Sequence, residues 1–457
     1  MRYRRLLKDL LQLRSNTMKS KEQIKNLQTE KLHHILHYAY EHSIYYHQLF
    51  EEAGITADNI DTVSMTSFPV LTKELLLQHF DEIVTVPDLK QKDLVQFDET
   101  NDISKKAYLD KYHLVHSSGS TGTPRYFVYD ESAWNQMLLG IVRGALWGMS
   151  LWKMAALLCR RPRILYIAAT DGRYGGAMAV GDGIDGVGAR QMFLDINTPL
   201  TEWKAKINSF HPNMVIGYPS AVKILAELAE EDGIHEKFVR IITCGEPLSM
   251  GLRKYLETMF HTTIINFYGA SESLAIGAEE RISEGMFLFD DMNYIETVDG
   301  QMYLTSLYNE VQPLIRYHIS DQIVWKTNEI LSSCTFSRIE SPLGRDEDLI
   351  WFQDTYGNKE FLHPLSVEGL CVSGVIDYQF QQTAEDAFEM LVEIEDGHST
   401  EKIQSESFQM MQEILNQKGL YYVRFVIHFV EQIMVNPETG KKQLIVQMDE
   451  ERESYGN

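Results

Sequence analysis

Between Met214 and Gly269 short β-rich runs alternate with helix-length amphipathic segments, and nothing else in the chain constrains its fold as strongly. Met214-Val215-Ile216-Gly217-Tyr218 precedes a helix expected from Pro219 to Glu231. Val239-Arg240-Ile241-Ile242-Thr243-Cys244 precedes one from Ser249 to Phe260, and Thr263-Ile264-Ile265-Asn266-Phe267-Tyr268 then stops at Gly269. A βαβαβ series of this kind builds a parallel sheet with crossover helices, an α/β architecture. Such sheets bind ligands beyond the carboxyl ends of their strands. Gly217-Tyr218-Pro219-Ser220, Gly245-Glu246-Pro247 and Tyr268-Gly269-Ala270-Ser271-Glu272-Ser273 are therefore expected to line one crevice. Arg163–Ala169 adds a further strand, ending at Thr170-Asp171-Gly172.

The sequence on either side reads differently. Residues 1 to 110 are polar-amphipathic and helical in pattern, with a helix start at Pro69-Val70-Leu71-Thr72-Lys73 capped by Thr72. His33 and His37 share one helical face with Glu30 a turn earlier; without a third ligand nearby they read as a half-exposed helix face rather than a metal site. Residues 286 to 340 alternate as strands, with Asp299-Gly300 as a hairpin signal. Past Gly344 come strands at 376–383 and 388–395, a helix at 401–418, and strands at 421–430 and 442–448. These spans predict two bodies: residues 1–343, and a small α+β unit at 344–457 joined through Pro342-Leu343-Gly344-Arg345-Asp346-Glu347-Asp348.

Charge and cysteine content narrow the function. With 42 Lys plus Arg against 65 Asp plus Glu, the net charge of −23 repels a phosphate backbone and argues against a nucleic-acid partner. Cys159, Cys244, Cys334 and Cys371 lack metal or redox spacing and read as buried thiols of a soluble, cytoplasmic protein. The basic amphipathic start, Met1 to Leu11, reads as a helix packed on the body rather than a signal peptide. Ile141–Cys159 carries Arg143 and Lys153, so it is expected to be a core helix and not a stable membrane insertion.

The strongest chemical signal is Ser117-Ser118-Gly119-Ser120-Thr121-Gly122-Thr123-Pro124-Arg125, whose glycines let backbone N–H and side-chain O–H groups approach phosphate oxygens. A Ser/Gly surface turn is the bland alternative, and the run is not a Walker A loop. Gly181-Asp182-Gly183-Ile184-Asp185-Gly186 satisfies GxGxxG but neither directly follows a strand nor opens a helix, so a dinucleotide fold is not expected.

Taken together, Ser118–Pro124, Tyr268-Gly269-Ala270-Ser271-Glu272, Ile315-Arg316-Tyr317-His318-Ile319-Ser320-Asp321, Gly344-Arg345-Asp346-Glu347-Asp348 and Thr439-Gly440-Lys441-Lys442 occur in the order and spacing of a known set. The chain resembles the acyl-adenylate-forming superfamily over residues 30 to 445. His42-Ser43-Ile44-Tyr45-Tyr46, Gly245-Glu246-Pro247-Leu248-Ser249 and the Ile-Arg-Tyr form of the third motif resemble its phenylacetate–CoA ligase branch, which includes synthetases that adenylylate a deazaflavin coenzyme. That resemblance implies a large N-terminal adenylation domain with parallel βαβ sheets and a β-rich subdomain, plus a small mobile C-terminal lid.

It also implies roles. Ser117, Ser118, Gly119, Ser120, Thr121, Gly122 and Thr123 would hold the β,γ-phosphates of ATP. Tyr268 and Gly269 would lie near adenine, bordered by Gly245, Glu246 and Pro247. Ser271 would touch the α-phosphate and Glu272 would coordinate Mg²⁺. Asp321 and Arg345 would grip the ribose, Glu347 would be the hinge, and Lys441 would bridge the reacting carboxylate and α-phosphate, with Lys442 its neighbouring alternative. The chemistry has its own logic: joining a carboxylate to a phosphate brings two anions together, and cations must offset the repulsion. Helix-end, turn and solvated-hairpin readings compete for Glu272, Asp321 and Lys441 taken singly.

The pattern departs from the family's usual form at Thr123, where Lys is usual and Arg125 offers a charge two positions on, at His318-Ile319-Ser320, and at Leu444, where Arg is usual. The expected activity is ATP-dependent activation of a carboxylic acid followed by transfer to coenzyme A. An adenylyltransferase acting on a hydroxyl, or a catalytically altered nucleotide-binding protein, is the alternative. Trp147, Tyr166, Tyr174 and Tyr218 are expected near the acid pocket, which suits an aryl or arylacetic acid. A homodimer is compatible with the sequence.

Overall fold

The computed structural model describes residues 2–99, 107–116, 125–159, 161–168, 189–195, 198, 200–230, 234–298, 300–321, 323–327, 332, 334–340, 350–353, 359–362, 375–394, 397, 399–417, 420–434 and 445–446. Helices come first: α1 (Arg2–Asn16), α2 (Lys21–His42), α3 (Ile44–Glu52), α4 (Lys73–Gln78), α5 (Phe80–Ile83) and α6 (Gln91–Glu99). Their starts follow the local chemistry. Ser20 and Gln23 form a reciprocal capping box on α2, Ser43 caps α3, and the Thr72 hydroxyl accepts from the Leu75 N–H at 3.3 Å. The cap expected at Thr72 is therefore present.

A hairpin of β1 (Tyr112–His116) and β2 (Tyr126–Asp130) leads into α7 (Glu131–Ala145) and α8 (Leu151–Cys159). Here one expectation fails. The Ile141–Cys159 stretch is two helices, broken around Gly148, whose φ of +67° takes the chain out of the helical region. Nor is it wholly core, because Trp152 is 85% exposed. No helix of the described residues is long and apolar enough to cross a membrane.

The central sheet follows: β3 (Arg163–Ala168), β4 (Arg190–Asp195), α9 (Leu200–Phe210), β5 (Met214–Gly217), α10 (Pro219–Glu230), β6 (Arg240–Cys244), α11 (Met250–Phe260), β7 (Ile264–Ala270), β8 (Ser273–Glu279) and β9 (Met286–Leu288). Next come β10 (Asn293–Val298), β11 (Gln301–Ser306), β12 (Tyr317–Ile319) and β13 (Arg338–Ile339). Strand order in the large sheet is β13-β9-β8-β7-β6-β5-β3-β4. β4, β3, β5, β6 and β7 run parallel, and β8, β9 and β13 continue antiparallel from β7. The βαβαβ reading thus describes the parallel half, while β10, β11 and β12 form the separate antiparallel sheet expected after residue 286. β5 and β6 are four-fifths to wholly buried runs, as strands covered on both faces should be.

A separate core begins at β14 (Ile350–Gln353) and β15 (Lys359–Leu362), then β16 (Val375–Ala384), β17 (Ala387–Ile394), α12 (Thr400–Gln417), β18 (Arg424–Phe429) and β19 (Ile445–Val446). The four-stranded sheet is ordered β18-β17-β16-β19. The expected junction at 343/344 lies outside the described residues. This smaller unit rests on α10 and α11: Lys223 pairs with Glu393 of β17, both nearly buried, and Ile376 joins the core around Leu252 and Tyr255.

On α2, His33 Nδ1 and His37 Nε2 lie 3.4 and 3.1 Å from one oxygen of Asp61. Among the described residues no group of three or more His, Cys, Asp or Glu side chains is arranged for a metal ion. Cys244 and Cys334 form no disulfide and are half-buried rather than buried.

Candidate active site

The parallel register sets Gly217 beside Thr243 and Cys244 beside Phe267, so the carboxyl ends of β5, β6 and β7 finish on one edge. There the expected crevice residues meet. The Glu246 carboxylate accepts from the Ser220 N–H at 3.0 Å and from its hydroxyl at 2.9 Å, tying the end of β6 to the N-terminus of α10. Gly245 turns at φ +80°, a conformation that would strain any side chain, and delivers Glu246 and Pro247 to that edge.

On the next strand, the Tyr268 hydroxyl donates to Asp321 Oδ2 at 2.7 Å. Two residues 53 positions apart, assigned to adenine and ribose separately, therefore form one pair. Gly269 sits at a register shift between Tyr268 and Ala270, and Ser271 and Glu272 make the two-residue turn joining β7 to β8. Beneath the turn lies a polar network. Tyr129 of β2 donates to the Glu272 carbonyl at 3.2 Å, and the Ser273 hydroxyl donates to Asn293 Oδ1 at 3.0 Å.

Ser220, expected only to line the crevice, proves to be the partner of Glu246. Two participants carried no role in the sequence reading. Tyr129 is one, and the other is Tyr317, fully buried, whose hydroxyl lies within the influence of the Arg125 guanidinium and the Glu272 carboxylate. Burial raises its pKa far above the ordinary range, Glu272 adds to the rise and Arg125 opposes it, so it stays a protonated donor. Tyr317 lies inside the third motif and Tyr129 on the strand after the Ser117–Arg125 run, but only tertiary pairing brings them to Glu272.

Beside the crevice, Tyr166 of β3 is buried with its ring edge-on to Phe193 at 5.6 Å; burial raises its pKa, and Cys244 and Tyr218 lie close enough to raise it further. Trp147 is elsewhere. Its ring packs 5.5 Å from Phe287 and 5.6 Å from Phe289 in the core beside the antiparallel half of the sheet, so its expected place at the pocket is corrected. Ser117 to Thr123, Tyr174, Gly181–Gly186, Arg345, Glu347 and Lys441 lie outside the described residues.

Glu272 fits a magnesium ion carried in by a nucleotide. Its half-buried turn is fixed from below by Tyr129, and a carboxylate is the hard oxygen ligand that a magnesium ion would take from the protein. A carboxylate such as Asp321, whose Oδ2 accepts from the Tyr268 hydroxyl, has the acceptor chemistry that a ribose diol requires.

The chain is 24% identical to phenylacetate–coenzyme A ligase of Escherichia coli over 359 residues, 72% of this chain and 73% of that protein. It is 23% identical to the Thermus thermophilus protein of the same name over 351 residues, 72% of each. The structure matches 2-hydroxyisobutyryl-CoA ligase in its postadenylation state, in complex with 2-HIB-AMP, with a TM-score of 0.70 at 20% identity, covering 96% of this chain and 92% of that one. No family model matches the chain. By sequence the chain is similar to phenylacetate–coenzyme A ligases, and it shares the fold of 2-hydroxyisobutyryl-CoA ligase.

Proposed function

We propose that this protein activates a carboxylic acid with ATP and passes the acyl group to the thiol of coenzyme A. A carboxylate oxygen attacks the α-phosphorus of ATP and pyrophosphate leaves, giving an acyl-adenylate. The thiol sulfur then attacks the acyl carbon, AMP leaves, and the thiol proton goes to solvent. The observation that carries this reading is the convergence of the Tyr268–Asp321 pair and the Glu272 turn at the β7 end, in a chain similar to phenylacetate–coenzyme A ligases.

Each residue's contribution follows from its setting. Asp321 accepts the ribose hydroxyls, Tyr268 orients Asp321, and the strand-end segment Gly245–Pro247 borders the base. Glu272 would hold a magnesium ion, which when bound would offset charge on the phosphates. Ser117–Thr123 would enclose the β,γ-phosphates, with Ser271 on the α-phosphate, Arg345 on the ribose and Glu347 at the hinge. Tyr218 and Tyr174 would border the acid. The altered third motif does not count against turnover: on a strand, neighbouring side chains face opposite ways, and His318 pairs with Gln301 at 2.7 Å while Tyr317 faces Glu272.

ATP–pyrophosphate exchange across a panel of aryl, arylacetic and short aliphatic acids tests the first step. Acid-dependent exchange is expected, and its absence with every acid contradicts the reading. Mass spectrometry of the products distinguishes it from adenylyl transfer to a hydroxyl, which releases no AMP. Within this framework, Asp321→Asn is expected to raise the KM for ATP by about tenfold, through loss of a charge-assisted acceptor. Tyr268→Phe should do the same more mildly, and an unchanged KM in both contradicts the ribose assignment.

A further inference from the structure

Acidic residues are spread through the chain, 65 among 457, yet none occurs from Ser132 to Thr170. That interval contains α8, nine residues long and apolar except for Lys153. Met154 and Leu157 are buried and hold the helix to the body. Its other face is open: Trp152 is 85% exposed and Leu151 61%, and Lys153, Ala155 and Ala156 are exposed with them. Two consecutive large apolar side chains left in water mark a surface that has something to cover it.

Helix α1 adjoins this face. It carries Arg2, Arg4, Arg5, Lys8 and Arg14 against Asp9 alone. The Arg14 guanidinium donates to the Met149 carbonyl at 2.6 Å and reaches the Met154 sulfur, so the end of α1 is pinned to the start of α8. Leu11, one turn before Arg14, and Met18, just past the end of α1, are exposed, as is Lys8. Apolar and basic residues thus gather around one helix pair in a protein whose net charge is −23. Glu280, the carboxylate lying against Gly148 between α7 and α8, is engaged by Arg240 at 3.6 Å.

We infer that α8 and α1 form a docking surface for an anionic lipid bilayer. Trp152 and Leu151 enter the headgroup layer, and the positive charge carried by Lys153, Lys8 and the rest of α1 draws the face to lipid phosphates. A bilayer meets both demands at once, with anionic oxygen at its surface and apolar chains just beneath. A two-fold contact with a second copy would instead set one basic α1 against the other, which like charge opposes. With nine residues α8 is far too short to span, so the contact is peripheral. β3 starts soon after α8, at the amino ends of the parallel strands, and the crevice lies at their carboxyl ends. Docking therefore leaves the crevice open.

Co-sedimentation of the full chain with vesicles tests this, whatever acid the crevice takes. Wild type is expected to bind vesicles of phosphatidylcholine containing one-third phosphatidylglycerol about tenfold more strongly than vesicles of phosphatidylcholine alone, and added salt should weaken the binding. Trp152→Ser and Lys153→Glu should each lower the partition coefficient by about five- to tenfold, with the far-ultraviolet dichroism of wild type. A wild type that ignores the anionic vesicles overturns the inference and leaves the adenylation reading standing. Binding that both variants keep in full overturns it too, since the contact then lies elsewhere. Sedimentation velocity completes the test: a dimer that Trp152→Ser dissociates assigns the face to a second copy and overturns the bilayer as its occupant.

Discussion

Lys441→Ala is expected to lower acyl-adenylate formation by about 10²–10³-fold while thioester formation from supplied acyl-adenylate stays within a few-fold of wild type. The reason is electrostatic. In the first step a carboxylate closes on a phosphate of like charge, and a cation between them stabilises the transition state more than the separated reactants. The second step joins a thiol to a carbonyl that is already activated, and no such repulsion has to be overcome. Lys441 stands four residues before β19, which pairs in parallel with Phe380 and Gln381 of β16 in the smaller sheet. Parallel assays of ATP–pyrophosphate exchange and of thioester formation from synthetic acyl-adenylate separate the steps. Equal loss in both contradicts the assignment, and the same selective loss in Lys442→Ala with none in Lys441→Ala transfers the role to its neighbour.

A second large effect is expected far from the crevice. Asp291, fully buried, accepts from Arg143 Nη1 at 2.7 Å and Nη2 at 2.9 Å and from Asn16 Nδ2 at 2.7 Å. Arg143 also donates to the Leu13 carbonyl at 3.1 Å and lies 4.2 Å over the Phe289 ring. This group pins α1 to α7 and to the loop after β9. Asp291→Ala leaves the guanidinium buried without its carboxylate, and the expected cost is about 3–5 kcal/mol. Urea unfolding followed by far-ultraviolet dichroism measures it, and a loss under about 1 kcal/mol contradicts the account. The double replacement Arg143→Met/Asp291→Leu should recover most of the loss, since paired charges are removed together.

Acid titration adds a signature. Burial pushes the Asp291 carboxyl up, but Arg143, Asn16 and Lys31 outweigh it and hold the group below its ordinary value. Its contribution is therefore present above about pH 4 and lost as pH falls through the lower folded value. Asp290 runs the other way: burial raises it to about 6 against an ordinary 3.8, so its protonated form favours the fold and stability falls as pH rises between those values. Asp290→Asn should flatten the stability profile in that window, and an unaltered profile contradicts the assignment.

What the sequence showed and what it hid divide along one physical line. Periodicity is local, so β5, α10, β6, α11 and β7 could be placed to within a residue or two, as could the cap at Thr72. The crevice followed, because parallel strands necessarily end together. Hidden was whatever depends on contact between distant segments: Tyr268 with Asp321, Tyr129 with Glu272, and Ser220 with Glu246. Apolarity alone misled at Ile141–Cys159, where one glycine outside the helical region splits the run and leaves Trp152 in solvent. The same ambiguity put Trp147 at the pocket, since aromatic rings serve cores and ligands equally well. His33 and His37 did share a face, and their common neighbour proved to be Asp61, 24 residues beyond His37.

The central claim is that an acid's own oxygen becomes bonded to the α-phosphorus of ATP. With an acid that supports exchange, labelled with ¹⁸O in both carboxylate oxygens, turnover in the presence of coenzyme A should release AMP carrying one ¹⁸O, the other remaining in the thioester. AMP without label, or adenylate retained on a hydroxyl product with no AMP released, would contradict it.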